Sequence, residues 1–273
     1  MLLDLIIFLI VIIVLYLLAI MPKLHRHQDW YKFDGCYYAH RGLHNNKTQA
    51  PENSLKAFDL AVKKGFGIEL DVQLTKDGIP IVLHDYNLKR ACGDEVKAAD
   101  LTYEELKEYR LFQTEERIPT FQEVLQLVDG KVPLIIELKI PWKADNLCEA
   151  VSKILQNYQG VYCIESFNPF GLIWYKKHYP KVVRGQLSTD FIKEKTEGSK
   201  VQYFILKHLL FNFLTKPDFI AYHHIYKKDL SFTLCRKLFR VKTVAWTIQS
   251  KEDLEKSNKY YELFIFDSFE PEI

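Results

Sequence analysis

The sequence predicts an α/β protein: a parallel (β/α)8 barrel preceded by one N-terminal transmembrane helix. Three observations predict it. Short apolar runs alternate with stretches of helical character eight times along the chain. With the apolar N-terminus set aside, about 250 residues remain, the usual size of such a barrel. Acidic, basic and imidazole side chains stand at the ends of several apolar runs, and a barrel gathers such residues at one mouth.

Residues 1–21 read as a transmembrane anchor. The run from Leu2 to Met21 is interrupted only by Asp4 and Tyr16, and its length just suffices for a hydrocarbon core of about 30 Å. A signal peptide is the competing reading. No basic segment precedes the run, the run is longer than a usual signal core, and Leu18-Ala19-Ile20 is a poor cleavage site, so a retained anchor is expected. Lys23, Arg26 and Lys32 follow the span, while Asp4 lies near its start. The positive-inside rule then predicts a single-pass protein of the cell membrane with its domain in the cytosol, although anchors of this kind also insert the other way.

Residues 22–34 read as a juxtamembrane linker and 35–273 as the barrel. Strands are expected at 37–42, 67–75, 133–139, 161–167, 182–187, 218–222, 243–248 and 263–267, with 79–84 as the return arm of a hairpin. Helical stretches include 54–64, 121–128 and 145–157. Asn53 is the expected N-cap of the first and Gly65 its stop. Residues 86–118 exceed a βα connection. They are expected to form a small insertion over the mouth, with a short helix at 102–109.

The near-balanced charge, +2 over 273 residues, argues against a nucleic-acid partner. Cys36, Cys92, Cys148, Cys163 and Cys235 lack CxxC or zinc-type spacing, so reduced, structural roles are expected.

The most informative stretch is 67–85. Ile68, Leu70, Val72 and Leu74 alternate with Glu69, Asp71, Gln73 and Thr75, which puts Glu69 and Asp71 on one face of a strand. Asp77-Gly78 suits a two-residue hairpin turn, in which Lys76 pairs with Ile79 and Asp71 lies opposite His84. The third strand adds Glu137 and Lys139 on one face, the first ends in His40-Arg41-Gly42, and the seventh carries Trp246. Each has a plain alternative when taken singly: His40 as a satisfied structural imidazole, Glu137–Lys139 as a structural ion pair, Trp246 as barrel filling. The whole set is too costly to place at strand ends for packing alone. Carboxylates without thiolates favour Mg2+ or Ca2+ over zinc. Arg41 and Lys139 suit the phosphate such an ion binds, and two imidazoles supply acid and base near neutral pH. The chemistry this describes is metal-assisted phosphoester cleavage.

Several ordered pieces carry a resemblance: Ala39-His40-Arg41-Gly42, Pro51-Glu52-Asn53-Ser54, Ala57-Phe58, Gly67-Ile68-Glu69-Leu70-Asp71-Val72, Thr75-Lys76-Asp77-Gly78, His84-Asp85 and Glu137-Leu138-Lys139. Together they resemble the glycerophosphodiester phosphodiesterase family. The match continues more weakly through Glu165-Ser166-Phe167-Asn168-Pro169, Ala245-Trp246-Thr247 and Phe266-Asp267. The resemblance implies a barrel of the TIM type and hydrolysis of glycerophosphodiesters to sn-glycerol 3-phosphate and an alcohol. It implies His40 and His84 as the acid–base pair and Glu69, Asp71 and Glu137 as ligands of one divalent cation. It further implies Arg41 and Lys139 as phosphate holders, with Trp246 stacked on the glycerol or leaving-group side.

Residues 201–214 are unusually apolar. A buried barrel helix is expected, with Ile205, Leu206, Leu209, Leu210, Phe213 and Leu214 facing the core and Phe204 and Phe211 off that stripe. The alternative is a patch that dips into the bilayer, which with the anchor suits a membrane lysophospholipid. Two other classes compete: a membrane-anchored binding protein without catalysis, and a phospholipase of the phosphoinositide or sphingomyelin type. The filled acid, base and ligand positions disfavour the first, and the ordered motifs disfavour the second.

Overall fold

The barrel closes between its first and last strands. The computed structural model of the protein describes residues 1–141 and 145–272. In chain order the elements are α1 (Leu2–Ile20), β1 (Tyr37–His40), α2 (Leu55–Lys63), β2 (Gly67–Leu74), β3 (Pro80–Val82), α3 (Lys89–Cys92), α4 (Tyr103–Leu106), α5 (Phe121–Val128), β4 (Leu134–Leu138), α6 (Asp145–Leu155), β5 (Tyr162–Ser166), α7 (Pro169–His178), β6 (Arg184–Ser188), α8 (Lys200–Lys207), α9 (Asn212–Thr215), β7 (Phe219–His223), α10 (Leu230–Lys237), β8 (Lys242–Ile248), α11 (Lys251–Ser257) and β9 (Leu263–Phe266). The strand order is β1-β9-β8-β7-β6-β5-β4-β2, and a β1–β2 pairing completes the ring. These neighbours are parallel, and β3 adds to β2 as an antiparallel arm. Each expected strand is present, trimmed by one or two residues at most ends.

The two faces of the strands separate the core into layers. Outward residues such as Ile68, Leu70, Val72, Leu134 and Ile136 pack beneath the helices with Phe58, Phe121 and Leu147. Inward residues at the strand starts, Tyr38, Ile135, Cys163, Phe219 and Val244, form an apolar plug. Trp30 and Phe33, from the segment expected as a linker, enter that plug from below and are buried. Farther along the same strands the inward positions turn polar, and the site lies there.

Residues 86–118 carry a small core of their own, in which Leu88, Ala98, Leu106 and Ile118 close on Ile81 and Leu83. The short helix expected inside it is α4, begun by a Thr102–Glu105 capping box.

Three expectations are corrected. The hairpin loop has three residues, not two: Leu74 pairs with Pro80, and the Thr75 amide donates to the Ile79 carbonyl at 3.1 Å. Thr75 Oγ1 accepts from the Ile79 amide at 2.9 Å and donates to Asp77 at 2.6 Å, while Gly78 takes φ +80°. That arrangement closes a turn and leaves one residue in the left-handed region. The register moves by one, so Asp71 faces Leu83, whose amide it accepts at 3.0 Å, and His84 lies beyond the ladder. Next, Ser54 and not Asn53 caps α2, its side chain accepting from the Ala57 amide at 3.1 Å. Gly65 does follow the helix, at φ +74°. Finally, 201–214 is not one buried helix. It breaks at Leu209, with φ +56°, into α8 and α9; Leu209 is buried, but Phe204, Phe213 and Leu214 are exposed and no residue of α8 is buried.

The end of α1 is fixed to the barrel. The Ile20 carbonyl accepts from Asn212 Nδ2 at 3.0 Å and from Cys235 Sγ at 3.3 Å, and Tyr16 Oη lies 2.7 Å from Ser231 Oγ. Lys23 pairs with Asp218 at 2.7 Å. Residues 1–15 are exposed.

Candidate active site

The turn after β1 begins the site. Arg41 (φ +56°) and Gly42 (φ +83°) both occupy the left-handed region. A Cβ on Gly42 would stand 2.9 Å from the Ala57 carbonyl carbon, so glycine here lets α2 approach the strand end. The turn aims the Arg41 amide at Glu69 Oε2, at 3.2 Å.

Glu69 and Asp71 on β2 and Glu137 on β4 point inward at the mouth, Asp71 and Glu137 being register partners. Each offers an oxygen within 4.8 Å of the others, and all three are buried. Burial pushes the Glu69 carboxyl well above its ordinary range, with repulsion from Asp71 and Glu137 adding to it. Glu137 is raised by burial and by Asp71, against the pull of Lys139. Asp71 goes the other way. Burial opposes its charge, but His84, Lys139 and Arg41 hold it far below the carboxylate range. Its Oδ2 also accepts from Asn53 Nδ2 at 2.9 Å. Lys139 Nζ lies 3.0 Å from Glu137 and 3.5 Å from Asp71, and these acids keep its pKa high despite burial.

An imidazole flanks the acids on either side, each held through Nδ1 by a carboxylate. His40 Nδ1 lies 3.3 Å from Asp267 Oδ2, and its Nε2 lies 4.0 Å from Glu69. Burial, with Arg41 beside it, pushes His40 down to about 4. His84 Nδ1 lies 2.6 Å from Asp85 Oδ1. A carboxylate accepts only, so Nδ1 carries the proton in both rings and Nε2 is left for the site. Asp85 Oδ2 accepts from Arg90 Nε at 2.6 Å. Arg90 donates a fork to Glu52 at 2.8 and 2.6 Å, and Glu52 accepts from Arg41 Nη1 at 2.8 Å. An ionic chain thus runs from one imidazole to the Arg41 guanidinium, which stands 3.3 Å from Asp71.

Trp246 stands on β8, across the barrel from β4, edge-on to Phe167 at 5.6 Å and close to His223 at 4.8 Å. The structure thus gathers the carboxylates, His40, His84, Arg41 and Lys139 on one side of the mouth and sets Trp246 on the other.

Sequence reasoning gave no site role to Asn53, Glu52, Asp85, Arg90, Asp267 or Glu165. Asp85 carried a signal in its adjacency to His84. Glu165 is the register partner of Glu137, buried, with Oε2 lacking a hydrogen-bond partner among the described residues and its pKa raised by burial. It places a further carboxyl oxygen beside the cluster. Arg90 and Asp267 approach through tertiary folding alone.

Residues 40–262 match the model of the glycerophosphoryl diester phosphodiesterase family. A glycerophosphodiester phosphodiesterase of Caldanaerobacter subterraneus subsp. tengcongensis is 32% identical over 235 residues, covering 81% of this chain and 88% of the relative. Human glycerophosphodiester phosphodiesterase 1 is 27% identical over 85% of this chain and 76% of the relative. Among solved structures, an Oleispira antarctica phosphodiesterase in complex with the product sn-glycerol-3-phosphate aligns with a TM-score of 0.70 at 26% identity, covering 86% of this chain and 94% of that one. A Thermotoga maritima glycerophosphodiester phosphodiesterase aligns with a TM-score of 0.62 at 27% identity, covering 85% and 94%.

Proposed function

Since the chain belongs to the glycerophosphoryl diester phosphodiesterase family, and is an enzyme of that kind, we propose that it hydrolyses glycerophosphodiesters to sn-glycerol 3-phosphate and an alcohol. In this reading Glu69, Asp71 and Glu137 hold one divalent cation, and His40 and His84 exchange protons with the substrate. The observation that carries it is the closure of three buried carboxylates to within 4.8 Å, with a carboxylate-held imidazole on either side.

The donor set fits a hard cation. Its ligands are all oxygens, Glu69 and Glu137 have pKa values raised by burial and by the negative charge gathered there, and Glu165 presents nearby an oxygen with no hydrogen-bond partner among the described residues. Mg2+ and Ca2+ both suit that set. When bound, such an ion polarises a phosphoryl oxygen and offsets the negative charge of the diester.

The protein's own groups supply the rest. Arg41, steadied by Glu52, and Lys139 hold the phosphate oxygens as fixed positive charges. One Nε2 takes the proton of the attacking hydroxyl, and the other returns a proton to the departing alcohol oxygen. His84 stands nearer solvent than His40, which suits the side from which the alcohol leaves. Trp246 offers an aromatic wall for the glycerol or leaving group.

We also read α1 as a retained membrane span, with the barrel on the cytosolic side. Its 19 residues have a mean hydropathy of 3.2 within the apolar window, a composition that a signal sequence shares. The chemistry is tested by stripping the purified protein with EDTA and following release of sn-glycerol 3-phosphate from glycerophosphocholine. Activity should vanish and return with Mg2+ or Ca2+. Full turnover in chelator would end the ligand assignment.

A further inference from the structure

The direction of α1 has a consequence for the substrate. Tyr16 meets Ser231 and Ile20 meets Cys235, so α1 and α10 run side by side in the same sense. Helix α10 follows β7 and therefore starts at the mouth end of the barrel. Beyond Ile20 the chain continues at the opposite end, where Lys23 pairs with Asp218 just before β7. The exposed part of α1 thus extends past the barrel on the side of the mouth. Residues 2–15 span about 21 Å, roughly two-thirds of a hydrocarbon core of about 30 Å. Because α1 is apolar and exposed right up to the point where Tyr16 joins the barrel, burying it in the hydrocarbon core brings the mouth rim beside it to the interfacial layer.

That rim is apolar. Phe170 follows β5, Ile192, Val201 and Phe204 follow β6, and Ile225 and Leu230 follow β7; Val201 is 71%, Ile225 63% and Leu230 61% exposed. They come from three adjacent connections, on the flank against which α1 packs. Between them a groove of about 640 Å³ leads outward from Glu137 and Lys139, walled by Phe167, Phe191, Ile205, Leu206 and Phe211. Its inner end is the proposed phosphate site and its outer end opens among the exposed apolar side chains of the rim.

We infer that the mouth is docked on the surface of the bilayer that α1 spans, and that the groove holds the acyl chain of a single-chain glycerophosphodiester lipid drawn from that surface. This rests on the hydrolytic reading above and on α1 as a retained span. The reaction is unchanged. Water adds its oxygen to phosphorus, the bond from phosphorus to the head-group oxygen breaks, and a water proton passes through the imidazoles to that oxygen, giving an acylglycerol phosphate and the free head-group alcohol.

The test uses the full chain in phosphatidylcholine vesicles. Resistance to alkaline extraction is measured first, then turnover of lysophosphatidylcholine and of soluble glycerophosphocholine, for the wild type and for Val201→Ser combined with Phe204→Ser. The double variant should lose about tenfold on the lipid, the effect of removing two apolar side chains from an apolar contact, with the soluble diester unaffected. In a separate variant, Phe204→Trp, fluorescence should be quenched more than that of the wild type by vesicles with brominated acyl chains. Equal losses on both substrates, no loss on the lipid, absent extra quenching, or a wild type that cleaves only the soluble diester would each overturn the inference while leaving the hydrolytic reading intact. Release by alkaline extraction would remove the span and the inference together. A wild type inactive on both substrates would remove the hydrolytic reading as well.

Discussion

His40 Nδ1 lies 3.3 Å from Asp267 Oδ2, across the seam where β1 meets β9. The closure of the barrel and the orientation of one imidazole are therefore the same event. Asp267 also faces His44 Nε2 at 3.5 Å, and the two imidazoles hold its pKa far below the carboxylate range despite burial. Asp267→Asn keeps the shape but lets the amide donate, so His40 can turn or change tautomer. We expect kcat to fall about 100-fold with KM little changed, the mark of a positioning group. Steady-state kinetics on glycerophosphocholine reads this split, and a rise in KM alone would refute it.

The second imidazole is held within a single loop. His84→Ala should cost about 10²–10⁴-fold in turnover, the usual worth of a positioned acid or base, while circular dichroism shows a folded chain. Asp85→Asn should cost less, because Arg90 still braces the loop from Glu52. A His84→Ala enzyme with wild-type turnover would take that residue out of the acid–base pair.

Asn53 fixes a proposed ligand. Its Nδ2 donates to Asp71 at 2.9 Å from a backbone in the left-handed region, which asparagine tolerates. Asn53→Ala should weaken metal affinity about 10–100-fold, as loss of a ligand's supporting hydrogen bond does elsewhere. Calorimetric titration of the stripped protein with Mg2+ or Ca2+ measures it, and unchanged affinity would contradict the geometry.

Glu52 gives a pH dependence with a definite sign. Burial would raise its carboxyl, but the Arg90 fork and Arg41 win and hold it at about 2, against 4.5 for a free glutamate. The folded state therefore binds its proton less readily than the unfolded state. The stabilisation is complete above about pH 4.5, is lost as pH falls toward 2, and amounts to about 3 kcal/mol. Glu52→Gln should lower stability near neutrality by a comparable amount, and the two stability curves should converge toward pH 2. Urea unfolding of the stripped proteins across that range reads the effect. A constant gap between the curves would show that the charge contributes nothing.

Much of the architecture was written locally. Alternation of apolar and polar residues in β2, and apolar runs such as Leu134–Leu138, gave the strands, because a strand places every second side chain on one face whatever surrounds it. The same periodicity placed Glu69, Asp71 and Glu137 on the inner wall. Local reading failed where a short-range choice depended on contacts not visible in the chain. Thr75 Oγ1 selected a three-residue loop over a two-residue one, and Asp71, acting from β2, recruited Asn53 away from a capping role that Ser54 fills equally well.

The tertiary structure alone decided which distant groups meet. Nothing in sequence spacing brings Asp267 to His40, Arg90 to Glu52, or Glu165 beside Glu137. These contacts exist because the barrel closes and parallel strands share a register, and both are properties of the whole ring. The helix at 201–214 shows the converse. Its composition promised burial, but an apolar side chain is buried only if another surface covers it, and α8 lies on the rim where no other element of the described protein does so. Side-chain type and periodicity determined the strands and the kind of chemistry at their ends. Ring closure decided which oxygens, imidazoles and apolar surfaces stand together.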